Sequence, residues 1–361
     1  MQKTASTLQS RRFDIDWLRV IALLLLIIYH IVISFQSWAK DAIYFIENID
    51  PLPGLWTPMQ WLNIWRIPLL FLISGMGLCF AMQRRSVCKL LIDRSSRILF
   101  PAVAGFFLIC PLNSLLFQEY YGQELHWIPN PGHLWFLFNI FAYVLLLLPF
   151  IVLFKKYPEN LLFQLSRRLT EKPQTLLALI LPFALEGYLL QPAYYSLFIY
   201  TLHGFVLGML AFFTGFFMIC AGDNFWRSVK SLRFITLAGA LTLYAVRWFL
   251  FGFEKTNNAL NGAECMLWIL SALGFAAAHI NRDSRALRLL SPAVYPIYIL
   301  HLPVQFAVAS LLFPKDISAP LKLILLIVST FAVCWLLYTI IGRIPLLRPI
   351  FGMKYRATGA S

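Results

Sequence analysis

Seven ionisable side chains stand inside long apolar stretches of the sequence, and they are the first candidates for chemistry: His30, Arg66, Glu186, His203, Arg247, Glu264 and His301. Such groups are costly within a membrane and usually face a cavity or a partner. An imidazole can take a proton from a hydroxyl near neutral pH, since its unperturbed pKa is about 6.5. For His30 and His301 we favour a functional role. For the glutamates and arginines, structural ion pairs such as Glu264 with Arg247 are an equal alternative.

The first apolar stretch carries two of the polar residues that suggest function. Arg19 and His30 are eleven residues apart. On a helix that is about three turns, so both side chains point the same way, roughly 16 Å apart along the axis. One helix would then hold a cation at the membrane surface and a titratable imidazole deep inside. This arrangement supports His30 as a general base toward a hydroxyl.

A second basic feature lies at the start of the third apolar stretch. Arg94 and Arg97 are three residues apart and would share one face of a helix. Guanidinium groups donate paired hydrogen bonds to phosphate, so the pair suits a phosphorylated ligand. From charge alone, anchoring at the cytoplasmic membrane surface is the favoured alternative.

The composition restricts the class of protein in which this chemistry takes place. Of 361 residues, 60% are hydrophobic and 13% are charged, whereas soluble domains have about 45–50% and about 25%. Soluble, disordered, collagen-like and disulfide-stapled classes are therefore excluded. The six cysteines lack metal-ligand or redox spacing, so we interpret them as packing residues. Residues 1–12 are polar, and no cleavage site follows the apolar run near Trp17, so no signal peptide is expected.

The length of the apolar stretches predicts an all-α, polytopic membrane protein with one membrane-embedded domain over residues 1–361. Crossing the hydrocarbon core takes roughly 20 apolar residues as helix. Ten stretches qualify or nearly qualify, and they span residues 17–37, 58–82, 97–117, 134–154, 174–190, 195–220, 233–252, 263–280, 291–312 and 321–342.

The basic residues predict the orientation of these helices. With the amino terminus in the cytoplasm and ten alternating helices, 24 of the 30 lysines and arginines fall on the cytoplasmic side. Only Lys40, Lys255, Lys315 and Lys322 fall outside, and Arg66 and Arg247 remain within helices. Cytoplasmic loops are enriched in Lys and Arg, so both termini are expected in the cytoplasm. The split also explains the net charge of +14 without nucleic acid. The polar residues inside the membrane then lie toward the outer side.

Five motifs follow one another in order over most of the chain. They are Asp16-Trp17-Leu18-Arg19 with His30, Phe71-Leu72-Ile73-Ser74-Gly75, the segment from Arg94 to Pro101, His133-Leu134-Trp135-Phe136-Leu137, and the segment from Tyr295 to Val304. Together they resemble the motifs of the acyltransferase-3 family of integral-membrane acyltransferases. Leu72 stands where the family often has a second phenylalanine. Within the family, the chain most resembles the osmoregulated periplasmic glucan succinyltransferases, through Arg66, the His133 segment and the tail Arg343-Ile344-Pro345-Leu346-Leu347.

The resemblance implies a reaction across a bacterial inner membrane. An acyl-CoA would be met as donor substrate from the cytoplasm, and a glycan hydroxyl on the outer side would accept an acetyl or succinyl group. A succinyl carboxylate would need a cation, which Arg66 or Arg247 could supply. No permanently bound cofactor is expected. The other partner is the lipid bilayer, and a homo-oligomer is left open.

Residues and resemblance together nominate a candidate site. The catalytic candidates are His30, Arg19, His301 and Tyr295. The candidates for binding donor or acceptor are Arg94, Arg97, Arg66, Ser74, His133, Trp135, Glu186 and Arg247, and no metal site is expected. The alternatives are a ten-helix transporter or exporter, whose ionisable residues would form a substrate path, and a non-catalytic relative that acts in membrane assembly.

Overall fold

The computed structural model describes residues 11–157, 160–220, 222–253 and 257–355. Within these ranges the regular structure is helical and no strand occurs, as the all-α prediction requires. Three of the basic residues from which the orientation is predicted lie outside the described ranges, as do both termini. They are Lys3, Lys255 and Arg356.

Within the described part of the chain, ten helices are long and apolar enough to cross a bilayer, and the chain is accordingly a multi-pass membrane protein. In chain order these are α1 (Phe13–Ile33), α2 (Pro53–Arg84), α3 (Val87–Tyr120), α4 (Gly132–Lys156), α5 (Pro173–Leu190), α6 (Leu202–Cys220), α7 (Asn224–Phe251), α8 (Asn258–His279), α9 (Arg285–Leu312) and α10 (Ala319–Ile341). Two shorter helices, Ala39–Ile43 and Leu161–Glu171, lie in the connections.

Each predicted stretch overlaps one of these helices, but three starting points differ by seven residues or more. The helices α3 and α7 begin at Val87 and Asn224, before their predicted starts, because their first turns are too polar to register as apolar sequence. The helix α6 begins late, at Leu202. Gln191 ends α5 with a left-handed backbone, φ 44°, and the segment up to α6 is irregular.

The helices α2 and α6 are in backbone contact near their middles. A Cβ atom added to Gly75 would lie 1.9 Å from the carbonyl oxygen of Phe212, and one added to Gly215 would lie 2.0 Å from that of Leu72. Small residues allow helices in membranes to approach this closely. The contact fixes α2, which carries two of the candidate site residues.

One expectation about the cysteines is wrong, and the reason lies in the close approach of α2 and α6. Cys79 and Cys220, one on each helix, form a disulfide, so the interpretation of all six as packing residues is wrong for this pair. Cys110, Cys265 and Cys334 are free and buried, as that interpretation expects, and Cys88 is free but exposed.

The helix bundle has two end faces. The amino-terminal face carries the start of α1, the end of α2 and the start of α3. The opposite face carries the end of α1, the start of α2, the end of α3 and the start of α4. Residues Ser95–Leu99 form a π-helical turn within α3 at the amino-terminal face, an irregularity that often accompanies functional residues.

Candidate functional site

The structure brings His30 of α1 and His301 of α9 together, although 271 positions separate them. Nδ1 of His30 lies 2.8 Å from Nε2 of His301, with the ring planes 7° apart. Nδ1 of His301 lies 2.6 Å from the carbonyl oxygen of Tyr298. A carbonyl oxygen can only accept a hydrogen bond, so Nδ1 of His301 carries the proton. Nε2 of neutral His301 is then the acceptor, and it takes its hydrogen bond from Nδ1–H of His30. The Nε2 atom of His30 is left with a lone pair.

A proline in α9 explains the position of the third histidine. Pro303 has no N–H, so the carbonyl of Ile299, one turn earlier, has no partner within the helix. His133, at the start of α4, fills this place, with Nε2 at 3.1 Å from that oxygen. The hydroxyl of Tyr298 donates in return to the carbonyl of His133 at 2.5 Å. These two bonds lock the start of α4 against α9, and the rings of His133 and His301 are 5.0 Å apart.

A buried glutamine holds the backbone of α1 at the histidine pair. Nε2 of Gln305 donates to the carbonyl of His30 at 2.9 Å and lies 3.2 Å from Oγ of Ser34. Gln305 is one turn beyond His301 on α9 and is fully buried. The contact between α1 and α9 is therefore tied at the ring of His30 and at its backbone.

His30 borders a cavity of about 950 Å³ in the half of the bundle near the opposite face. The volume is at the upper end of that of small-molecule sites. Side chains from α1, α2, α4 and α9 contribute to its wall, among them Tyr29, His30, Arg66, His133, Trp135 and Tyr298. The free lone pair of His30 therefore belongs to a residue that a bound molecule can reach.

Arg66 supplies a positive charge to the same cavity. Its side chain is 1% exposed, and its guanidinium carbon lies 4.1 Å from the centre of the Tyr29 ring. Among the described residues, its Nε and Nη1 atoms have no hydrogen-bond partner. Buried guanidinium groups are normally paired. Two free donors beside an open cavity are suited to an anionic group of a ligand.

Two other arginines converge at the amino-terminal face. Nη2 of Arg94 donates to the carbonyl of Gly77 at 3.2 Å. Nη2 of Arg19 lies 2.9 Å from the point where a Cβ atom on Gly77 would stand. Because Gly77 has no side chain, the guanidinium groups of Arg19 from α1 and Arg94 from α3 can both lie against α2 at this residue. Arg19 of α1 and Arg94 of α3 form a basic pair, and α1 also carries His30.

Arg97 lies beside this basic pair but is held by an acid. Its Nε lies 3.1 Å from Oδ1 of Asp93, whose other oxygen contacts Arg85 at 2.5 Å. Asp16 lies 3.3 Å from Arg19. Arg11 also contacts Asp16, at 3.0 Å. Five arginines therefore face two aspartates, and the region keeps a net positive charge suited to phosphate.

Comparison with protein families decides what kind of protein has this arrangement. The acyltransferase-3 family model, described as an acyltransferase domain, matches residues 12–339. The chain belongs to this family. It is therefore an enzyme, and of the functions considered from the sequence, membership favours the acyltransferase over the transporter and the non-catalytic relative. No curated protein and no solved structure matches the chain.

Arg247, a predicted binding residue of the acyltransferase, does not border the cavity. Its Nε and Nη2 donate to the two carboxylate oxygens of Glu264, at 2.8 and 2.9 Å, and Trp268 donates to the same carboxylate at 3.1 Å. Both charged side chains are buried. The geometry is that of the structural ion pair held open as an alternative, between α7 and α8.

The carboxylate of Glu186 is likewise paired with a residue outside the cavity wall. Its Oε1 lies 2.7 Å from Nδ1 of His203, whose Nε2 lies 2.9 Å from the carbonyl oxygen of Tyr195. All three residues are buried, and neither Glu186 nor His203 borders the cavity. These contacts join the end of α5, the start of α6 and the irregular segment between them.

Two further candidates lie away from the cavity. The hydroxyl of Ser74 donates to the carbonyl of Leu70 on its own helix at 2.7 Å. Tyr295 packs its ring against Gly352 in the segment after α10. Its hydroxyl is buried without a partner in the described part of the chain.

Several residues of the site were not selected from the sequence. Tyr298 stands in the last motif but had no role assigned, and Tyr29, Asn113 and Gln305 stood in apolar runs as unremarked polar residues. A signal was present for Gln305. It lies four residues after His301, hence on the same face of α9.

Proposed function

We propose that this acyltransferase moves an acyl group from acyl-CoA, bound from the cytoplasm, to a hydroxyl of a glycan on the outer side of a bacterial inner membrane. One membrane-embedded domain over residues 1–361 would carry the reaction. The observation that supports it most is that His30, whose Nε2 keeps a lone pair, borders the cavity.

The proposed orientation places the amino-terminal face in the cytoplasm. Most of the lysines and arginines belong to this side when ten helices alternate. The basic pair Arg19 and Arg94, with Arg97 beside it, would hold the CoA phosphates. The cavity would then be the outer compartment, where the glycan arrives. The pantetheine arm of CoA would run along α1 and carry the thioester toward His30.

In the proposed reaction, the acceptor hydroxyl gives its proton to Nε2 of His30 as its oxygen attacks the thioester carbonyl carbon. The tetrahedral intermediate collapses, the carbon–sulfur bond breaks and the ester forms. The CoA sulfur leaves as a thiolate and takes the proton from His30, which returns to its neutral state. His301 holds the tautomer that makes this possible, as the third member of a triad does.

Of the two acyl groups considered, the contacts of the arginines favour succinyl. Arg247 is satisfied by Glu264, whereas Arg66 borders the cavity and two of its donors have no partner in the described ranges. A succinyl group would place its terminal carboxylate against Arg66, and an acetyl group would leave these donors unpaired. This supports the likeness to the osmoregulated periplasmic glucan succinyltransferases.

Mass spectrometry of cell-envelope glycans, from cells with and without the protein, tests this function. We expect a succinyl mass increment on a glycan that disappears with the gene and returns with the native gene but not with His30→Ala. A reporter fused to the carboxyl terminus should read as cytoplasmic. Glycans unchanged by deletion would contradict the acceptor, and an acetyl increment would contradict the assignment of Arg66.

A further inference from the structure

The disulfide between Cys79 and Cys220 is a reactive group that the proposed transfer does not use. Cys79 stands one turn beyond Gly75 on α2, and Cys220 is the last residue of α6, on the same helix as Gly215. The bond therefore lies where the close contact between these two helices reaches the amino-terminal face. The Cα atoms of the two cysteines are 6.3 Å apart, within the range that a disulfide spans.

The compartment proposed for this face is an unusual one for a disulfide. The proposed orientation places the amino-terminal face in the cytoplasm, where thiols are kept reduced. Disulfides that form there are usually transient and either catalytic or redox-sensing. Cys79 is fully buried, whereas Cys220 keeps 7% of its surface exposed. Cys220 is therefore the sulfur that a small oxidant reaches more easily.

The disulfide and the basic pair meet at a single turn of α2. Gly77, against which Arg19 and Arg94 lie, stands two positions before Cys79. Two positions along a helix correspond to a rotation of about 200°, so the disulfide and the arginines hold opposite sides of this turn. The turn is thus fixed between α6 on one side and α1 with α3 on the other. Without the bond, α6 no longer holds it covalently, and Gly77 can shift relative to the two guanidinium groups.

From these observations we propose that Cys79 and Cys220 form a reversible redox pair that sets the affinity of the enzyme for acyl-CoA. The disulfide form holds Gly77 where Arg19 and Arg94 converge, and it binds the donor more tightly than the dithiol form. The inference rests on the proposed function, because it takes the basic pair as the site of the CoA phosphates and the amino-terminal face as cytoplasmic.

The redox cycle requires a peroxide as oxidant and a dithiol as reductant. The Cys220 thiolate attacks one oxygen of the peroxide, the O–O bond breaks, and a sulfenic acid and water form. The sulfur of Cys79 then attacks the sulfenic sulfur, which forms the S–S bond and releases a second water. The peroxide gains two electrons, and the two thiol protons leave in the two waters. An external dithiol reverses the change through a mixed disulfide and is itself oxidised to a disulfide.

Counting thiols in cells tests the redox pair independently of catalysis. Cells that express the full-length protein are quenched with acid before and after brief exposure to hydrogen peroxide, and the denatured protein is labelled with a maleimide polymer. The chain has six cysteines, so six labels are expected before peroxide, four after it and six again after recovery. Four labels before peroxide, or six after it, would overturn the proposal.

Two variants identify the cysteines that react. Cys220→Ala should carry five labels under all three conditions. Cys88→Ser removes the free cysteine that is exposed, so its label count should change from five to three and return to five. A constant count in Cys88→Ser would assign the oxidation to Cys88 and overturn the pair.

The coupling to the donor site is measured as the affinity for CoA. Calorimetry on the purified protein in nanodiscs compares the oxidised form with the form reduced by dithiothreitol. Native protein should bind CoA at least threefold more weakly once reduced, whereas Cys220→Ala should show the weaker affinity in both solutions. Equal affinity of the two native forms would overturn the coupling. A protein whose label count changes but which binds no CoA in either form would contradict the proposed donor site, and the coupling with it, so the two failures are distinguishable.

Discussion

His301 accepts the Nδ1 proton of His30 at 2.8 Å, while its own Nδ1 donates to the carbonyl of Tyr298. Both nitrogens of His301 are thereby occupied, whereas His30, which borders the cavity, keeps a lone pair on Nε2. From the sequence, both histidines are catalytic candidates. The geometry supports His30 as the base and His301 as the residue that orients it.

Replacing His301 should therefore weaken catalysis without removing the base. In His301→Ala the Nδ1–H of His30 loses its acceptor, so we expect kcat to fall about 10- to 100-fold, as for other orienting partners of histidine. His301→Gln, whose amide oxygen can accept the same proton, should recover part of the loss. The comparison requires kcat for acyl transfer in proteoliposomes. Equal damage by both substitutions would contradict an orienting role.

Arg66 should discriminate between acyl groups. Loss of a charge-assisted contact to a carboxylate costs about 1.5–3 kcal/mol. In Arg66→Gln we therefore expect kcat/KM for succinyl-CoA to fall more than tenfold relative to acetyl-CoA. Arg66→Lys should recover only part, because an ammonium group lacks the planar fork. The measurement is the ratio of kcat/KM for succinyl-CoA to kcat/KM for acetyl-CoA. A ratio unchanged by the substitution would show that Arg66 does not distinguish the two acyl groups.

The basic pair at the amino-terminal face should determine donor affinity. Arg94→Ala should weaken CoA binding by about 1.5–3 kcal/mol, measured by calorimetry on purified protein, and Arg97→Ala should weaken it less because Asp93 already holds Arg97. Arg288→Ala, an exposed arginine paired with Asp283, is the matched control.

Gly77→Ala probes the basic pair without removing a charge. The new methyl group would meet only the end of the Arg19 side chain, so the protein should fold and yet bind CoA more weakly. Gly54→Ala, where a Cβ atom meets nothing within 4 Å, should bind normally. Native affinity in both Arg94→Ala and Gly77→Ala would exclude this region as the phosphate site.

The ion pair of Arg247 and Glu264 should matter for stability rather than for donor recognition. Removing one partner of a buried pair leaves an uncompensated charge and typically costs about 3–5 kcal/mol. Glu264→Ala should lower the melting temperature in detergent, while KM for acyl-CoA in the folded fraction stays within twofold. A large rise in KM at an unchanged melting temperature would instead support Arg247 as a binding residue.

The number of helices could be predicted from the sequence because hydropathy and length decide it. Each span needs its own apolar stretch, and all ten predicted stretches overlap a helix. Helix ends were less predictable. Arg94 and the polar first turn of α7 belong to helices whose apolar part starts later. Gln191, with its left-handed backbone, ends α5 and so separates it from α6.

The candidate site was only partly predictable for a different reason. The cost of burying His30, Arg66 and His301 in a membrane identified them one by one. Their pairing depends on how α1, α2 and α9 pack, and no local pattern carries that. Arg247 and Arg66 look alike in the sequence, yet Arg247 is neutralised by Glu264, whereas two donors of Arg66 have no partner among the residues that the structure describes.

The base assignment is tested most directly by single-turnover transfer from acyl-CoA in proteoliposomes that contain envelope glycans, with native protein and with His30→Ala. General-base catalysis contributes about 100- to 10,000-fold. We predict that His30→Ala loses at least 100-fold in rate while its affinity for CoA stays within twofold of native. A His30→Ala protein that transfers at more than a tenth of the native rate, beside an inactive His301→Ala, would contradict the assignment and move the base to α9.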